Sequence, residues 1–369
     1  MCLGRGAAAL WNGVESGRSG IEDSLGRVAD QALAGLPLDL QKNRALAFAV
    51  ATIDEAMQQA GWTQLNEDDG LIVATTTGLY QKWNQSFAQF VRGQQRAVDF
   101  LSDFKSQPLG ELPAAISKHY AHIGPVSLVS SASSASTQAL AMASMWLRQK
   151  RVRRCLVVGV EILCDLTVDG FKSLQLLSES PSRPFDRQRS GINLSEGAGA
   201  LCLEALGEGP RALAGLVGDG LSSDGFHMTG PHPEGDGSFR SMQMVLDTAG
   251  LEAGDIGWVH AHGTGSVQND LAEGLAVARL FKDRMPWISS TKWHHGHALG
   301  AAGAIESVLV IQAMQRKMVL CTHGLENPDE RIPVKHPTSH LTAPDRFVLK
   351  NTLGFGGANA TVIFSPAPA

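Results

Sequence analysis

Val126-Ser-Leu-Val-Ser-Ser-Ala-Ser-Ser-Ala-Ser-Thr137 decides how this chain is read. A short β-rich run, entered through Gly124-Pro125, passes through small residues alone into 134–149, which is nearly all small, apolar or amide. That composition predicts a strand running into a buried helix. A side chain at such a junction sits above free backbone N–H groups and the positive end of the helix dipole, which favour an anion. An acyl-transfer enzyme can place a nucleophile and its oxyanion hole there. A serine that merely caps the helix accounts for the same string. No Gly-x-Ser-x-Gly is present, so an α/β-hydrolase elbow is not supported.

Outward from this junction the pattern repeats. Residues 43–60 carry apolar positions at helical spacing, Gly70 to Thr75 is a short β-rich run, and Cys155 to Val160 is a fully apolar strand. Ala198 to Glu204 and Arg211 to Gly218 read as strands joined by a charged turn. Ile256 to Ala261 predicts a strand, and Asp270 to Phe281 and Ala301 to Gln315 predict helices. Asn351 to Leu353 with Ala360 to Phe364 predicts a closing hairpin. Strands alternating with helices imply βαβ units and a mostly parallel sheet covered by helices. No Pro-, Gly- and Ser-rich linker separates independent domains, and no sequence repeat is visible.

Composition narrows the classes. Of 369 residues 43% are apolar and 18% charged, enough for a large core, which excludes global disorder. Lys and Arg total 31 against 36 Asp and Glu, which argues against a dedicated nucleic-acid binder. Cys2, Cys155, Cys164, Cys202 and Cys321 are sparse and unpatterned, unlike a disulfide framework or a zinc motif. A reducing cytoplasm is the expected location. No apolar run approaches the ~18 residues of a membrane span, and no secretory signal is read at the N-terminus.

Three further strings can carry chemistry. Val259-His-Ala-His-Gly-Thr-Gly-Ser266 lies between a predicted strand and a helix, where α/β folds place ligands. His260 and His262 share a strand face and offer a metal pair, but no third ligand has matching spacing. His260 also reads as a satisfied core histidine. Ser290-Thr-Lys-Trp-His-His-Gly-His-Ala-Leu-Gly300 fits a metal site, a solvated loop or a catalytic loop. Lys292 adds positive charge there, which disfavours a metal and suits carboxylates or acyl groups. Glu306, on the following helix, can reach back to Lys292 as a buried charge pair. Gly354-Phe-Gly-Gly-Ala-Asn359 implies a tight turn against another backbone, or a plain hairpin. It lacks the Gly-Lys-Ser/Thr ending of a phosphate loop.

In this order the strings resemble the β-ketoacyl-[acyl carrier protein] synthases of the type I/II branch, which have the thiolase fold. The resemblance runs from Leu3-Gly4, through Leu10-Trp11 and Ser16-Gly-Arg-Ser-Gly-Ile21, to the C-terminal strand. It includes Glu161, Gly170-Phe171, Arg183-Pro-Phe-Asp186, Glu196-Gly-Ala-Gly199, Ser222-Ser-Asp224 and His227-Met-Thr229. Asp270, Glu273 and Gly300-Ala-Ala-Gly303 also match. A strand of the form R-V-V-I-T-G usually precedes the family's Leu-Gly and does not precede Leu3-Gly4. The resemblance implies an α/β thiolase fold of duplicated mixed-sheet halves in a layered α-β-α-β-α arrangement. Residues 1–207 would carry the nucleophile position and 208–369 the two histidines.

Residue by residue, the resemblance places the nucleophile at position 133, where the family has cysteine and this chain has Ser133. It implies His262 and His297 as the catalytic histidines, Lys292 as the loop lysine and Glu306 as its acidic partner. It implies Phe355 as the gating residue whose N–H joins that of residue 133 in an oxyanion hole. Thr264 and Ser266 would contact the phosphopantetheine arm. No metal and no resident cofactor are implied, because substrates ride on the phosphopantetheine of an acyl carrier protein. A homodimer, or a heterodimer with another ketosynthase-like subunit, is expected, with no nucleic acid or membrane partner.

The implied activity is decarboxylative Claisen condensation of an acyl-enzyme with malonyl carrier, in fatty acid or polyketide-type elongation. Serine alters that expectation. A helix N-terminus can lower a thiol enough to give a thiolate, whereas a hydroxyl needs a general base. An acyl-serine is also an oxygen ester, less reactive toward a carbanion. Condensation is therefore expected to be impaired, with slow acylation or a long-lived acyl-enzyme, while malonyl decarboxylation survives. Ser133 fits a replaced cysteine or a natural serine variant. A non-catalytic chain-length partner and a serine-type O-acyltransferase are the competing functions, and retention of His262, His297, Lys292 and Glu306 favours catalytic ancestry. Arg148, Lys150, Arg151, Arg153 and Arg154, or the isolated Arg92, Arg96 and Lys105, offer docks for an acidic carrier. Trp83, Phe87, Phe90 and Phe100 either narrow a substrate tunnel or pack a core.

Overall fold

Cys155 to Val160 reads as one unbroken apolar run because it lies inside a sheet with no wet face. The computed structural model describes residues 1–104, 108–207, 212–342 and 346–367. Its first sheet contains β1 (Asp69–Ala74), β2 (Val126–Val129), β3 (Arg154–Glu161) and β4 (Gly197–Glu204) in the order β2-β1-β3-β4. β1 runs parallel to β2 and β3, and β4 is antiparallel to β3. Every residue of β1 and β3 is buried.

The second sheet holds β5 (Gly215–Ser223), β6 (Ile256–His260), β7 (Trp287–Ser289), β8 (Phe347–Gly354) and β9 (Ala358–Ser365) in the order β5-β9-β8-β6-β7. β7, β6 and β8 are parallel, and β9 is antiparallel to β8. The path β7-β6-β8-β9 thus repeats β2-β1-β3-β4. Connectivity and burial are duplicated, not residue identity, so no repeat is visible in the sequence. β5 adds a strand antiparallel to β9 that has no counterpart beyond β4 among the described residues.

One expectation is corrected here. Ala198–Glu204 and Arg211–Gly218 are not neighbouring strands across a turn. β4 closes the first sheet, β5 begins the second, and β5 starts only at Gly215. Arg211 and 208–210 of the charged turn lie outside the described residues. Both are partly exposed edge strands, and a local pattern cannot say which sheet an edge strand joins.

Helices complete five layers, α-β-α-β-α. α1 (Arg44–Ala60) covers the outer face of the first sheet. α2 (Ala135–Arg148) lies between the sheets. α3 (Asp236–Ala249) and α4 (Val267–Phe281) cover the second sheet. The short α5 (Lys292–His295) leads through a 3-10 turn into α6 (Ala302–Gln315), which joins α2 in the central layer. A helix packed on every side needs apolar residues all round, and the buried positions of α6 include Ala302, Gly303, Ala304, Ile305, Leu309 and Val310. Small residues also let backbones touch. A Cβ at Gly303 would lie 2.2 Å from Thr137 Oγ1 and 2.8 Å from Thr137 N, and one at Gly199 would lie 2.7 Å from Ile305 N. No helix among the described residues is long and apolar enough to cross a membrane.

The α2–α6 contact has a measurable consequence. Gly303→Ala is expected to lower stability by about 1–3 kcal/mol through overpacking, read as a lower urea midpoint. Gly170→Ala, where the added methyl meets nothing within 4 Å, is expected to hold or raise the midpoint, because alanine favours a helix over glycine by about 0.5–1 kcal/mol.

Candidate active site

β2 meets α2 through a sharp bend in which Ala132 takes φ 50°, the left-handed region. The bend lifts Ser133 to the N-terminus of α2. Ser133 is buried, with Oγ 2.8 Å from His297 Nε2. The glycine-rich hairpin turn packs against this bend, as its composition implied. A Cβ at Gly354 would lie 2.9 Å from Ser131 O and 3.0 Å from Ser134 Oγ, so only glycine fits. Phe355 follows immediately, its ring stacked on Phe171 with centroids 5.3 Å apart. The adjacent Gly356 N–H donates to Met228 O at 2.7 Å.

His262 follows the C-terminal end of β6, on a loop fixed by two carboxylates from the first turns of α4. Glu273 accepts from the N–H groups of His262 (2.7 Å) and Gly263 (2.8 Å). Asp270 accepts from those of Thr264 (3.0 Å) and Gly265 (3.1 Å). Residues three apart share a helix face, so one face of α4 holds the whole loop. His262 and His297 meet edge to face with ring centroids 5.0 Å apart. Ser133, His297 and His262 therefore converge from α2, the α5–α6 loop and the end of β6.

Behind the histidines lies a buried charge cluster. Lys292 Nζ bonds the Glu306 carboxylate and donates to the His262 carbonyl oxygen at 2.6 Å. The expected Lys292–Glu306 pair is thus present, and it anchors the histidine loop. Lys350 was not anticipated. Its Nζ lies 2.8 Å from the other Glu306 oxygen, and the side chain is fully buried on β8. A lysine amid Phe347-Val-Leu and Asn351-Thr-Leu was the available signal, because buried lysines require a partner. His260, read as a core histidine, is fully buried with Nε2 3.1 Å from Thr291 Oγ1. Glu161 accepts from the N–H groups of Thr76 (2.9 Å), Thr77 (3.1 Å) and Gly300 (3.0 Å), which ties the end of β1 to the entry of α6.

Burial and the lysines set the protonation states. Burial opposes ionisation of Glu306, but Lys292 and Lys350 outweigh it and hold the carboxyl well below the usual range. Burial, then the charge of Lys292, lowers His297 to about 3 and holds His262 well below the ordinary imidazole value. Both rings are neutral near pH 7. A neutral His297 can take a proton from Ser133 Oγ, and neutral rings can donate to a developing oxyanion.

Thr264 is buried and Ser266 partly buried beside the histidine loop, linked Oγ1 to Oγ at 3.2 Å; Ser266 also caps α4 by accepting from Asn269 N–H. The basic cluster is largely paired. Arg148 bonds Asp219 at 2.6 Å, Arg154 and Arg153 lie 2.8 and 3.6 Å from Asp69, and Arg151 covers the Trp146 ring. Arg96 bonds Asp99 at 2.7 Å, Arg92 is exposed, and Lys105 lies outside the described residues. Trp83 stacks on Phe87 (5.2 Å) and Phe90 on Phe100 (4.7 Å), with Phe87 and Phe90 exposed, so this cluster is not a closed core.

Comparison with known proteins follows the same lines. The family model described as "Beta-ketoacyl synthase, N-terminal domain" matches residues 29–208, and "Beta-ketoacyl synthase, C-terminal domain" matches 213–326. The 3-oxoacyl-[acyl-carrier-protein] synthase 2 of Rhizobium meliloti is 31% identical over 86% of this chain and 80% of its own. Nodulation protein E of the same organism is 30% identical over 98% of this chain and 96% of its own. Among solved structures, the ishigamide ketosynthase/chain length factor has a TM-score of 0.88 at 27% identity, covering 99% of this chain and 96% of that one. The ketosynthase ApeO in complex with its chain length factor ApeC, from Xenorhabdus doucetiae, has a TM-score of 0.84 at 27% identity, covering 99% and 95%.

The charge cluster predicts an order of mutational cost. Glu306→Gln leaves two buried lysines without their carboxylate and is expected to cost about 3–5 kcal/mol. Lys350→Met leaves Lys292 paired and is expected to cost at least about 1 kcal/mol less. Urea unfolding of both variants checks the order.

Proposed function

We propose that this chain, which belongs to the β-ketoacyl synthase family, is a condensing enzyme of fatty acid or polyketide-type elongation in which Ser133 holds the acyl group and slows the overall reaction. The contact between Ser133 Oγ and His297 Nε2 carries this reading. His297 takes the Oγ proton as Oγ attacks the carrier thioester. The C–S bond breaks, the thiol leaves with the proton returned by His297, and an oxygen ester remains on Ser133. The N–H groups of Ser133 and Phe355 stabilise the oxyanion. Malonyl carrier then binds beside His262 and His297, with Thr264 and Ser266 along its pantetheine arm, and loses carbon dioxide. The resulting carbanion attacks the ester carbonyl, the C–O bond to Oγ breaks, and Oγ takes a proton that His297 relays from solvent. That last step is slow, because an alkoxide is a poorer leaving group than a thiolate.

Lys292, with Glu306 and Lys350 behind it, positions His262, while burial, aided by the Lys292 charge, keeps both rings neutral. The acyl donor is an acyl carrier protein. The open edge of β2, with Val126 partly exposed and Ile123 just before the strand largely exposed, is read as the place where a second ketosynthase-like subunit adds its own strand. This reading divides the chain at residues 207/208, nucleophile half from histidine half.

Incubation with an acyl-carrier thioester, followed by intact-protein mass, tests the proposal. Acyl mass is expected on Ser133, slowly, and faster on the Ser133→Cys chain. His297→Ala is expected to slow acylation of Ser133 by about 10²–10⁴-fold, the ordinary worth of a general base. Carbon dioxide release from malonyl carrier is expected to persist in the parent chain. Failure of both forms to acylate would overturn the reading in favour of a non-catalytic partner. Because His297 titrates near 3, lowering the pH should leave the acylation rate flat from about pH 8 to about 5. A fall centred near 6.5, the ordinary imidazole value, would contradict the neutral buried ring.

A further inference from the structure

The histidine-rich loop holds a ring that condensation leaves unused. His294 is buried on α5, with Nδ1 2.9 Å from the Arg18 carbonyl oxygen. A carbonyl only accepts, so Nδ1 carries the proton and Nε2 presents a lone pair. That lone pair lies 2.9 Å from His323 Nδ1, which in turn is 3.7 Å from Cys321 Sγ. His340 completes the group. Its Nδ1 accepts from the Cys321 N–H at 3.1 Å, so its Nε2 bears the proton, and that nitrogen is buried with no hydrogen-bond partner. Ligand atoms of Cys321, His323 and His340 all lie within 4.8 Å of one another.

These residues come from separate parts of the fold. Cys321 follows the short strand Met318–Val319, and His340 precedes its antiparallel partner Leu341–Thr342. His294 belongs to the loop that ends in His297. Trp293 packs on the His323 ring at 5.3 Å, and Gly17 approaches His323 so closely that a Cβ there would lie 3.0 Å from Nε2. The group is half-buried: Cys321 and His294 are inside, His323 and His340 partly exposed.

A thiol among imidazoles, with no carboxylate in the group, is a donor set for zinc-class metals and not for magnesium or calcium. His294 already has the arrangement typical of metal-bound histidines, one ring nitrogen donating to a backbone carbonyl and the other available. At Zn–N distances of about 2.0–2.1 Å, nitrogens 2.9 Å apart need open by only roughly a few tenths of an ångström. We propose that Cys321 Sγ, His323 Nδ1 and His294 Nε2 bind a zinc-class divalent metal, with His340 donating its Nε2 proton into the group. The metal takes the place of the proton that His294 and His323 share. That proton moves to His323 Nε2, and the Cys321 thiol proton is released to solvent. The bound ion ties residues 17–18 and the Met318–Thr342 strand pair to the loop that carries Lys292 and His297. It is a positioning site for that loop and takes no part in bond making.

Tag-free full chain stripped with EDTA and titrated with CoCl2 alone tests the site. The expected result is one cobalt per chain, with a thiolate-to-cobalt charge-transfer band and the strong visible bands of a tetrahedral ion. ZnCl2 is expected to abolish both spectra and raise the thermal midpoint. Cys321→Ser should remove the charge-transfer band, and His340→Phe should weaken binding by about 10–100-fold, as loss of an outer partner does. Circular dichroism checks that each variant folds. Absence of the charge-transfer band in the folded parent chain overturns the proposal without reference to any variant. An unchanged spectrum in folded Cys321→Ser overturns it equally.

Discussion

The Glu306 carboxylate is the point on which this structure turns. It sits on α6 in the central layer with no solvent contact, between Lys292 from the α5 loop and Lys350 from β8. Desolvation penalises all three charges, and only their mutual attraction makes the arrangement tolerable. Moving any one element exposes an unpaired charge to a medium that cannot screen it. The carboxylate therefore fixes helix, loop and strand together, and through the Lys292 bond to the His262 carbonyl it fixes the histidine loop as well. Burial lowers His262 and His297 most, and the charge of Lys292 adds to it, so both rings stay neutral beside this cluster.

Around that cluster the central layer is made thin. Gly303 against Thr137 and Gly199 against Ile305 bring helix to helix and strand to helix at backbone contact. Close approach places the N-terminus of α2, with Ser133, opposite the loop that enters α6, with His297. Gly354 does the same for the closing hairpin, which presses Phe355 toward the bend at Ala132. The site is assembled from junctions between elements, where glycine and alanine allow contact and where helix N-termini offer N–H groups to an anion.

Much of this was legible from the chain. The strand-to-helix run at Val126–Thr137, the apolar strand through Cys155 and the helix before Gln315 are local patterns, and each appears within a few residues of its reading. Ser133, His262, His297, Lys292 and Glu306 were named from local strings and their order, and the fold brings them together. Lys350 was missed because one lysine in an apolar strand carries no partner with it in sequence. The link between β4 and β5 reads as a charged turn in the chain, but the two strands lie in different sheets, and edge strands declare no sheet. The basic cluster at 148–154 looked like one surface, but Asp69 and Asp219, distant in sequence, take up most of its charge.

Local pattern yields the alternation of elements and the strand-to-helix junction that holds Ser133, because periodicity and small-residue junctions act over a few residues. Motif order yields the family resemblance, and that resemblance singles out His262, His297, Lys292 and Glu306. Only the folded chain brings out the second lysine on Glu306, the neutral state of the histidines, and the meeting of His294 with Cys321, His323 and His340. Each of those depends on which distant segments share a buried space, and both the energy of a charge and the geometry of a ligand set are properties of that space, not of the string.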